Sequence, residues 1–427
     1  MPEFYVSAPG KVIIFGEHSA VYGKPAIAAA LNLRAYLLVK PSVNPDEVEL
    51  EFPDIDLRYK WKVSDIPWDE LSKYVTYENG VPETTEELVP EVLDLLNDLL
   101  VQCTPSLQYT ACKCFLYLYA NLCNSGVSGH YFCIRSTLPI GAGLGSSAST
   151  AVCLAAALSA LGGHIMEPEH KADDMSTLQD LKDAEFIDAW SLMGETCFHG
   201  NPSGIDNAVA THGDAVLFQR MTAPGIPSVR TKIRNFSAVK LFLTNSKVPR
   251  STAELVASVA SQNRTLPKIS NCILDAMGHL VNEAYQIMST PFLNRSSLLS
   301  LVNINHGLLV ALGVSHPCLE SIRQIADTHK LGATKLTGAG GGGCTITFLR
   351  DDISEQELSA AIEELELRGY ETYSTMLGGK GVGMLQAKDF PADAADKFSV
   401  ETFSKLASRD DIESSIGASV HSQWRYW

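Results

Sequence analysis

No two of the ten cysteines, at positions 103, 112, 114, 123, 133, 153, 197, 272, 318 and 344, form a C-x-x-C pair. Scattered in this way they read as reduced, mostly buried thiols, not as a disulfide framework or a zinc site. Positive charge is also scarce: 33 Lys and Arg stand against 49 Asp and Glu, for a formal net charge of −16, which argues against a nucleic-acid surface. No apolar window reaches the length needed to cross a bilayer, the Ala- and Leu-rich run 148–161 being too short. Residues 1–10 have neither a charged n-region nor an apolar h-region, so no signal peptide is read and a soluble, cytoplasmic protein is expected. The usual phosphate motifs are missing as well: there is no G-x-x-x-x-G-K-[ST], and no H-R-D or D-F-G. A G-x-G-x-x-G does occur at Gly338, Gly340 and Gly343, but residues 344–349 after it alternate like a strand, whereas a dinucleotide fingerprint requires a helix there.

What is present is a chain of 427 residues, 45% hydrophobic, long enough for two packed domains. A Pro-, Gly- and Thr-rich stretch at 221–227 is the candidate linker, dividing the chain into 1–228 and 229–427. In the first part, strands are expected at 4–7 and 12–15 around a turn at 8–11, then at 31–39, 48–52 and 131–136. Helices are expected at 83–100, 116–122, 148–161 and 178–198. In the second part the spacing predicts a strand at 238–244, helical regions at 252–286 and 295–312, a hairpin around 338–343, a helix at 355–367 and a strand at 371–376. That alternation suggests an α+β fold whose second domain is an antiparallel, ferredoxin-like layer. The polar tail 388–427, with one apolar cluster, has no assigned place.

The stretch that organises the rest is Pro139 to Thr150, PIGAGLGSSAST. Gly141, Gly143 and Gly145 can turn tightly and bring bare amides close to a ligand. The loop opens into a helix, whose unpaired N–H groups and positive dipole end favour an anion. A nucleotide triphosphate would suit it. Phosphoryl transfer asks for a phosphate cradle, a metal, a cation on the transferred group and a carboxylate near the nucleophile. The sequence offers a candidate for each: the cradle Gly141, Ala142, Gly143, Leu144, Gly145, Ser146 and Ser147; Ser147 and Glu195 as hard oxygen ligands for Mg2+; Lys11 after a Pro-Gly turn; and Asp206 as base. Each has an ordinary alternative, Glu195 as a surface glutamate, Asp206 as a cap for 207–211 and Lys11 as a solvated charge.

Three ordered segments, SAPGKVIIFGEHSAVYGKPA at 7–26, LPIGAGLGSSA at 138–148 and KLTGAGGGGC at 335–344, resemble the signature motifs of the GHMP small-molecule kinases. The resemblance extends to about residue 386. Segments 16–26, 200–208 and 245–252 look like the members that act on mevalonate, the fungal ones above all, rather than the sugar kinases. The resemblance implies a two-domain GHMP fold, with an N-terminal domain like ribosomal protein S5 domain 2 and a C-terminal ferredoxin-like domain. It further implies ATP- and Mg2+-dependent phosphorylation of the primary hydroxyl of mevalonate, a step of isoprenoid and sterol synthesis. Carried onto this chain, Lys11 touches the nucleotide phosphates and the reacting hydroxyl, Ser136 joins the nucleotide site, and Ser147 and Glu195 hold Mg2+. Asp206 accepts the proton, Glu17 and His18 line the substrate pocket with Thr252 nearby, and the 338–343 loop closes the site.

A homodimer and inhibition by prenyl diphosphates at the ATP site are also implied. Where relatives carry an Asn near the nucleotide base this chain has Asp54, so that contact is unassigned. A small anionic acid needs a cation, and Arg250 is the expected partner of its carboxylate. The alternatives are another acceptor on the same fold (phosphomevalonate, galactose or homoserine) and a catalytically silent nucleotide sensor. A phosphorylated acceptor would need extra cations near the first motif, where Glu17 and His18 offer none, and a silent sensor should have lost Lys11, Glu195 or Asp206.

Overall fold

A computed structural model describes residues 3–427 except 104–106, 173, 222–227, 234–235, 291, 391–399 and 419–420. The candidate linker therefore lies almost wholly outside the described residues. The spine of the first half is the 17-residue strand Pro25–Pro41, which pairs with Phe4–Phe15 on one side and with His130–Ser136 and Ala215–Gln219 on the other. The turn expected at 8–11 is not one. Phe4–Phe15 runs through it as a single strand, because its long partner supplies pairing on both sides of a register shift between Pro9 and Lys11. That bulge releases the Lys11 amide from the ladder, and it donates instead to Leu144 O at 2.8 Å, tying the strand to the glycine loop.

Helices Leu107–Leu122, Ser146–Leu161 and Leu178–His199 pack together with this sheet in one core. Small residues let them approach: a Cβ added at Gly194 would sit 3.1 Å from Ala151, Cys114 and Leu118. The Leu178–His199 helix is started by a capping box between Thr177 and Asp180. The helix expected at 83–100 starts only at Pro90, where a missing N–H does no harm, and the one expected at 116–122 starts at Leu107.

The second half has the strand order 332–336, 344–349, 239–245, 371–377, all antiparallel, with helices between the first and second strands in sequence and between the third and fourth. This is the β-α-β-β-α-β arrangement expected. The region expected to be helical over 252–286 is two helices, Thr252–Thr265 and Pro267–Met288, interrupted at Leu266 because Pro267 begins a new turn. A helix at Pro317–Thr328 has no counterpart in the sequence reading. One pairing, Leu377 with Leu31, joins the two sheets.

The tail packs against the first half of the chain. Gly383–Gln386 pairs with Phe4–Ser7, and Arg425–Tyr426 pairs with Gly383 and Met384, so the last segment returns to the first half. Phe403, Ile412, Ile416, Trp424 and Tyr426 bury themselves against Tyr5, Tyr36, Leu38 and Leu385. All ten cysteines are free thiols and eight are buried. Among the described residues no helix is long and apolar enough to cross a membrane.

Candidate active site

The glycine loop and the start of helix Ser146–Leu161 form one wall of a cavity of about 740 Å3 whose lining comes from both halves of the chain. Gly145 caps the helix at φ +77°, and a Cβ there would lie 2.9 Å from Lys11 Cγ, so glycine is needed both for the turn and for the lysine beside it. Lys11, held in place by its amide, directs Nζ to Asp206 Oδ2 at 3.2 Å; the two side chains are 8% and 28% exposed. Asp206 sits in the first turn of helix Ile205–His212, whose N-cap is Gly204 at φ +73° with no side-chain cap. The capping alternative for Asp206 is thus taken by Gly204, where a Cβ would strike Arg230 at 2.2 Å.

Ser147 Oγ donates to Glu195 Oε1 at 2.8 Å and lies 3.2 Å from His199 Nε2. Glu195 is 2% exposed. Burial pushes its carboxyl up to about 8; the Asp206 charge adds to this, while the Ser147 hydrogen bond and Lys11 oppose it. Its Oε2 is buried with no hydrogen-bond partner. A buried carboxylate oxygen left unpaired beside a hydroxyl is what a small hard cation would satisfy. No group of three or more His, Cys, Asp and Glu able to cage a metal occurs among the described residues. Magnesium does not require one, since it keeps waters and takes one or two protein ligands alongside phosphate oxygens.

The second glycine loop closes on the first motif. Thr337 Oγ1 donates to Ile13 O at 2.9 Å, His18 Nε2 donates to Ala339 O at 2.8 Å, and Lys335 forms an ion pair with Glu17 in which both side chains are fully buried. Asn305 Nδ2 donates to the other Glu17 oxygen at 3.1 Å. Glu17, His18, Arg250 and Thr252 all line the cavity. Arg250, however, spends its guanidinium on the two loops, donating from Nη1 to Thr337 O and from Nη2 to Ala142 O, each at 3.2 Å.

Ser136 lies just outside the lining, its hydroxyl accepting from Leu138 N at 3.1 Å where the loop begins. Asp54 accepts from Ser136 N at 2.8 Å and from Arg135 Nε at 3.0 Å, and Arg135 in turn donates to the tail carbonyls of Phe403, Ser404 and Leu406. His199 and Arg220 line the cavity, and Lys335 and Asn305 hold Glu17 behind it, without having been singled out in the sequence. Lys335 lies within the third motif, but nothing in that motif marks its side chain as paired with Glu17.

The GHMP kinases N terminal domain model matches residues 109–214, and the GHMP kinases C terminal model matches 292–367. Mevalonate kinase of Candida albicans is 56% identical over 99% of both chains, and that of Saccharomyces cerevisiae 42% identical over 91% of both. Among solved structures, L. major mevalonate kinase in complex with R-mevalonate superposes with a TM-score of 0.62 at 23% identity, covering 88% of this chain and 96% of that one. The Methanococcus jannaschii mevalonate kinase gives the same TM-score and identity over 87% and 98%. With its signature loops folded onto one cavity and relatives matched from end to end, the chain belongs to the GHMP kinases, in the mevalonate kinase branch.

Proposed function

We propose that the chain moves the γ-phosphoryl group of ATP to the primary hydroxyl of mevalonate, with Lys11 and Asp206 acting on the reacting atoms. The 3.2 Å approach of Lys11 Nζ to Asp206 Oδ2 at the edge of the glycine loop carries this reading. The phosphates lie against Gly141, Gly143, Gly145 and the amides that open helix Ser146–Leu161. Ser147 and Glu195 would hold Mg2+, which when bound would supply positive charge against the nucleotide phosphates. The acceptor hydroxyl rests against Asp206. As its oxygen bonds to the γ-phosphorus and the bond to the leaving ADP breaks, the hydroxyl proton passes to the Asp206 carboxylate. Lys11 offsets negative charge on the transferring group and, through its 3.2 Å contact, fixes the position of the Asp206 carboxylate. Because the transition state is loose, the proton moves late, and most of the rate comes from positioning and electrostatics.

Phe52, Ile55, Leu107 and Ala111 give one stretch of the lining an apolar character suited to the nucleotide base. A prenyl diphosphate would fit the same features, diphosphate on the loop and chain along the apolar wall. The retained Lys11, Glu195 and Asp206 speak against a silent sensor. A coupled ADP-release assay across mevalonate, phosphomevalonate, galactose and homoserine tests the acceptor. Mevalonate should give the highest kcat/KM; a higher value with any of the others overturns the assignment.

A further inference from the structure

We propose that Arg135 and Asp54 are positioning residues for the nucleotide, through which the C-terminal tail sets the affinity for ATP; this rests on the ATP-dependent reading above. Arg135 lies on strand His130–Ser136, one residue before its end and the approach to the glycine loop, and its side chain is 7% exposed. A guanidinium so enclosed must place its N–H donors on protein acceptors. Nε donates to Asp54 Oδ1 at 3.0 Å, Nη1 to the carbonyls of Phe403 and Ser404 at 3.1 Å each, and Nη2 to that of Leu406 at 2.7 Å. Those carbonyls lie at and just beyond the end of the short helix Val400–Ser404, where backbone acceptors run out of helical partners, so the tail and Arg135 complete each other.

Asp54 carries that link to the cavity. It sits in the single turn Pro53–Ile55, between Phe52 and Ile55, both of which line the apolar stretch suited to the base. Its second oxygen accepts from Ser136 N at 2.8 Å, and Ser136 Oγ accepts in turn from Leu138 N at 3.1 Å, just before Pro139 enters the lining. Gln108 Nε2 holds the other side of the turn, donating to Ile55 O at 2.9 Å and to Asp56 O at 3.0 Å. One carboxylate therefore sets the spacing between the wall for the base and the loop for the phosphates. Asp54 and Arg135 are not themselves in the cavity lining, so they act through Phe52, Ile55 and the loop. Both partners of the Asp54 carboxylate are donors, which a carboxylate can serve together; an asparagine would turn an N–H toward either Arg135 or Ser136.

Steady-state kinetics with ATP and mevalonate tests this in full-length Asp54→Asn, Arg135→Met, Arg135→Lys and Phe403→Leu, and in Phe403→Leu combined with Arg135→Met. Asp54→Asn and Arg135→Met should each raise the ATP KM by about tenfold, the worth of one hydrogen bond to a charged group, while the mevalonate KM and kcat at saturation stay within about twofold. Arg135→Lys should recover part of the loss, because an ammonium keeps the charge but not the fork that reaches Asp54 and the tail together. Phe403 is buried against Tyr5, ring centroids 5.6 Å apart, so Phe403→Leu shifts the tail and leaves both positioning side chains in place. It should raise the ATP KM by about threefold in the wild type and not at all in Arg135→Met. KM does not depend on the fraction of folded enzyme, and the near-isosteric Asp54→Asn replaces Arg135→Met as the background if the latter does not fold. An unchanged ATP KM in Asp54→Asn or in Phe403→Leu overturns the proposal, as does an equal rise in the mevalonate KM or an equal effect of Phe403→Leu in both backgrounds. Failure of the underlying reading is seen separately, as wild-type enzyme that releases no ADP from ATP with mevalonate.

Discussion

Lys11 and Lys335 each meet a carboxylate from a distant part of the chain, and both pairs border the same cavity, yet they are built for opposite purposes. The Lys11–Asp206 pair is left partly open, with 28% of the Asp206 side chain exposed to whatever enters. The Lys335–Glu17 pair is sealed, with neither side chain exposed and the second Glu17 oxygen held by Asn305. Burial pulls the Lys335 pKa down, and Glu17 opposes that pull. An ion pair enclosed in this way gains little net stability over an apolar pair, since two charges have been taken from water, but losing either partner leaves a buried charge alone. The sealed pair fixes the first motif to strand Gly332–Leu336 of the second half. The open pair is what that fixation keeps in register.

The sharpest test of this contrast is Asp206→Ala. Turnover should fall by about 1000-fold, the usual range for a removed acid-base group, with ATP affinity and melting temperature close to wild type. Near-normal turnover would remove Asp206 from the chemistry. Lys335→Met should behave in the reverse sense, losing on the order of 3 kcal/mol in denaturant unfolding because Glu17 is stranded. Replacing both partners, Glu17→Leu with Lys335→Met, should regain most of that stability. A double variant no more stable than the single one would mean that the pair itself stabilises the fold. Glu195→Gln lies between the two cases, being buried like Glu17 but short of a partner at Oε2. It should raise the Mg2+ concentration for half-maximal rate by about tenfold, roughly 1.4 kcal/mol, without loss of folding stability. An unchanged Mg2+ requirement would take Glu195 out of the metal site.

The open pair was legible in the sequence and the sealed one was not, for a physical reason. Lys11 follows Pro9-Gly10, Asp206 follows Gly204, and the first loop carries three closely spaced glycines, so local backbone chemistry marks each piece. Glu17 and Lys335 are 318 positions apart, and their pairing is decided by how two sheets meet. Lys335 also lies on a strand buried on both faces, so alternation gives no hint that its ammonium is inside. The same blindness affected the Pro9–Gly10 segment, where local turn propensity yielded to a long partner strand. It affected the tail as well, whose apolar residues are too irregularly spaced to indicate the sheet they cover. The ferredoxin-like half was easier, because short strands alternate with helices and the 332–349 hairpin is closed by its own glycines.

The smallest effect separates backbone strain from displacement of Lys11. Gly145 and Gly163 sit at opposite ends of the Ser146–Leu161 helix and share φ +77°. Alanine at either should cost about 1 kcal/mol for the left-handed conformation, read as equal shifts in unfolding midpoint. At Gly163 a Cβ meets nothing within 4 Å, whereas at Gly145 it presses on Lys11 Cγ at 2.9 Å. Gly145→Ala should therefore lose about tenfold in kcat beyond the shared stability cost, because moving the lysine by a fraction of an ångström weakens its hold on both Asp206 and the transferring group. Equal kcat values in the two variants would mean that Lys11 tolerates displacement, and the open pair would then owe its work to charge alone rather than to the position set by Gly145.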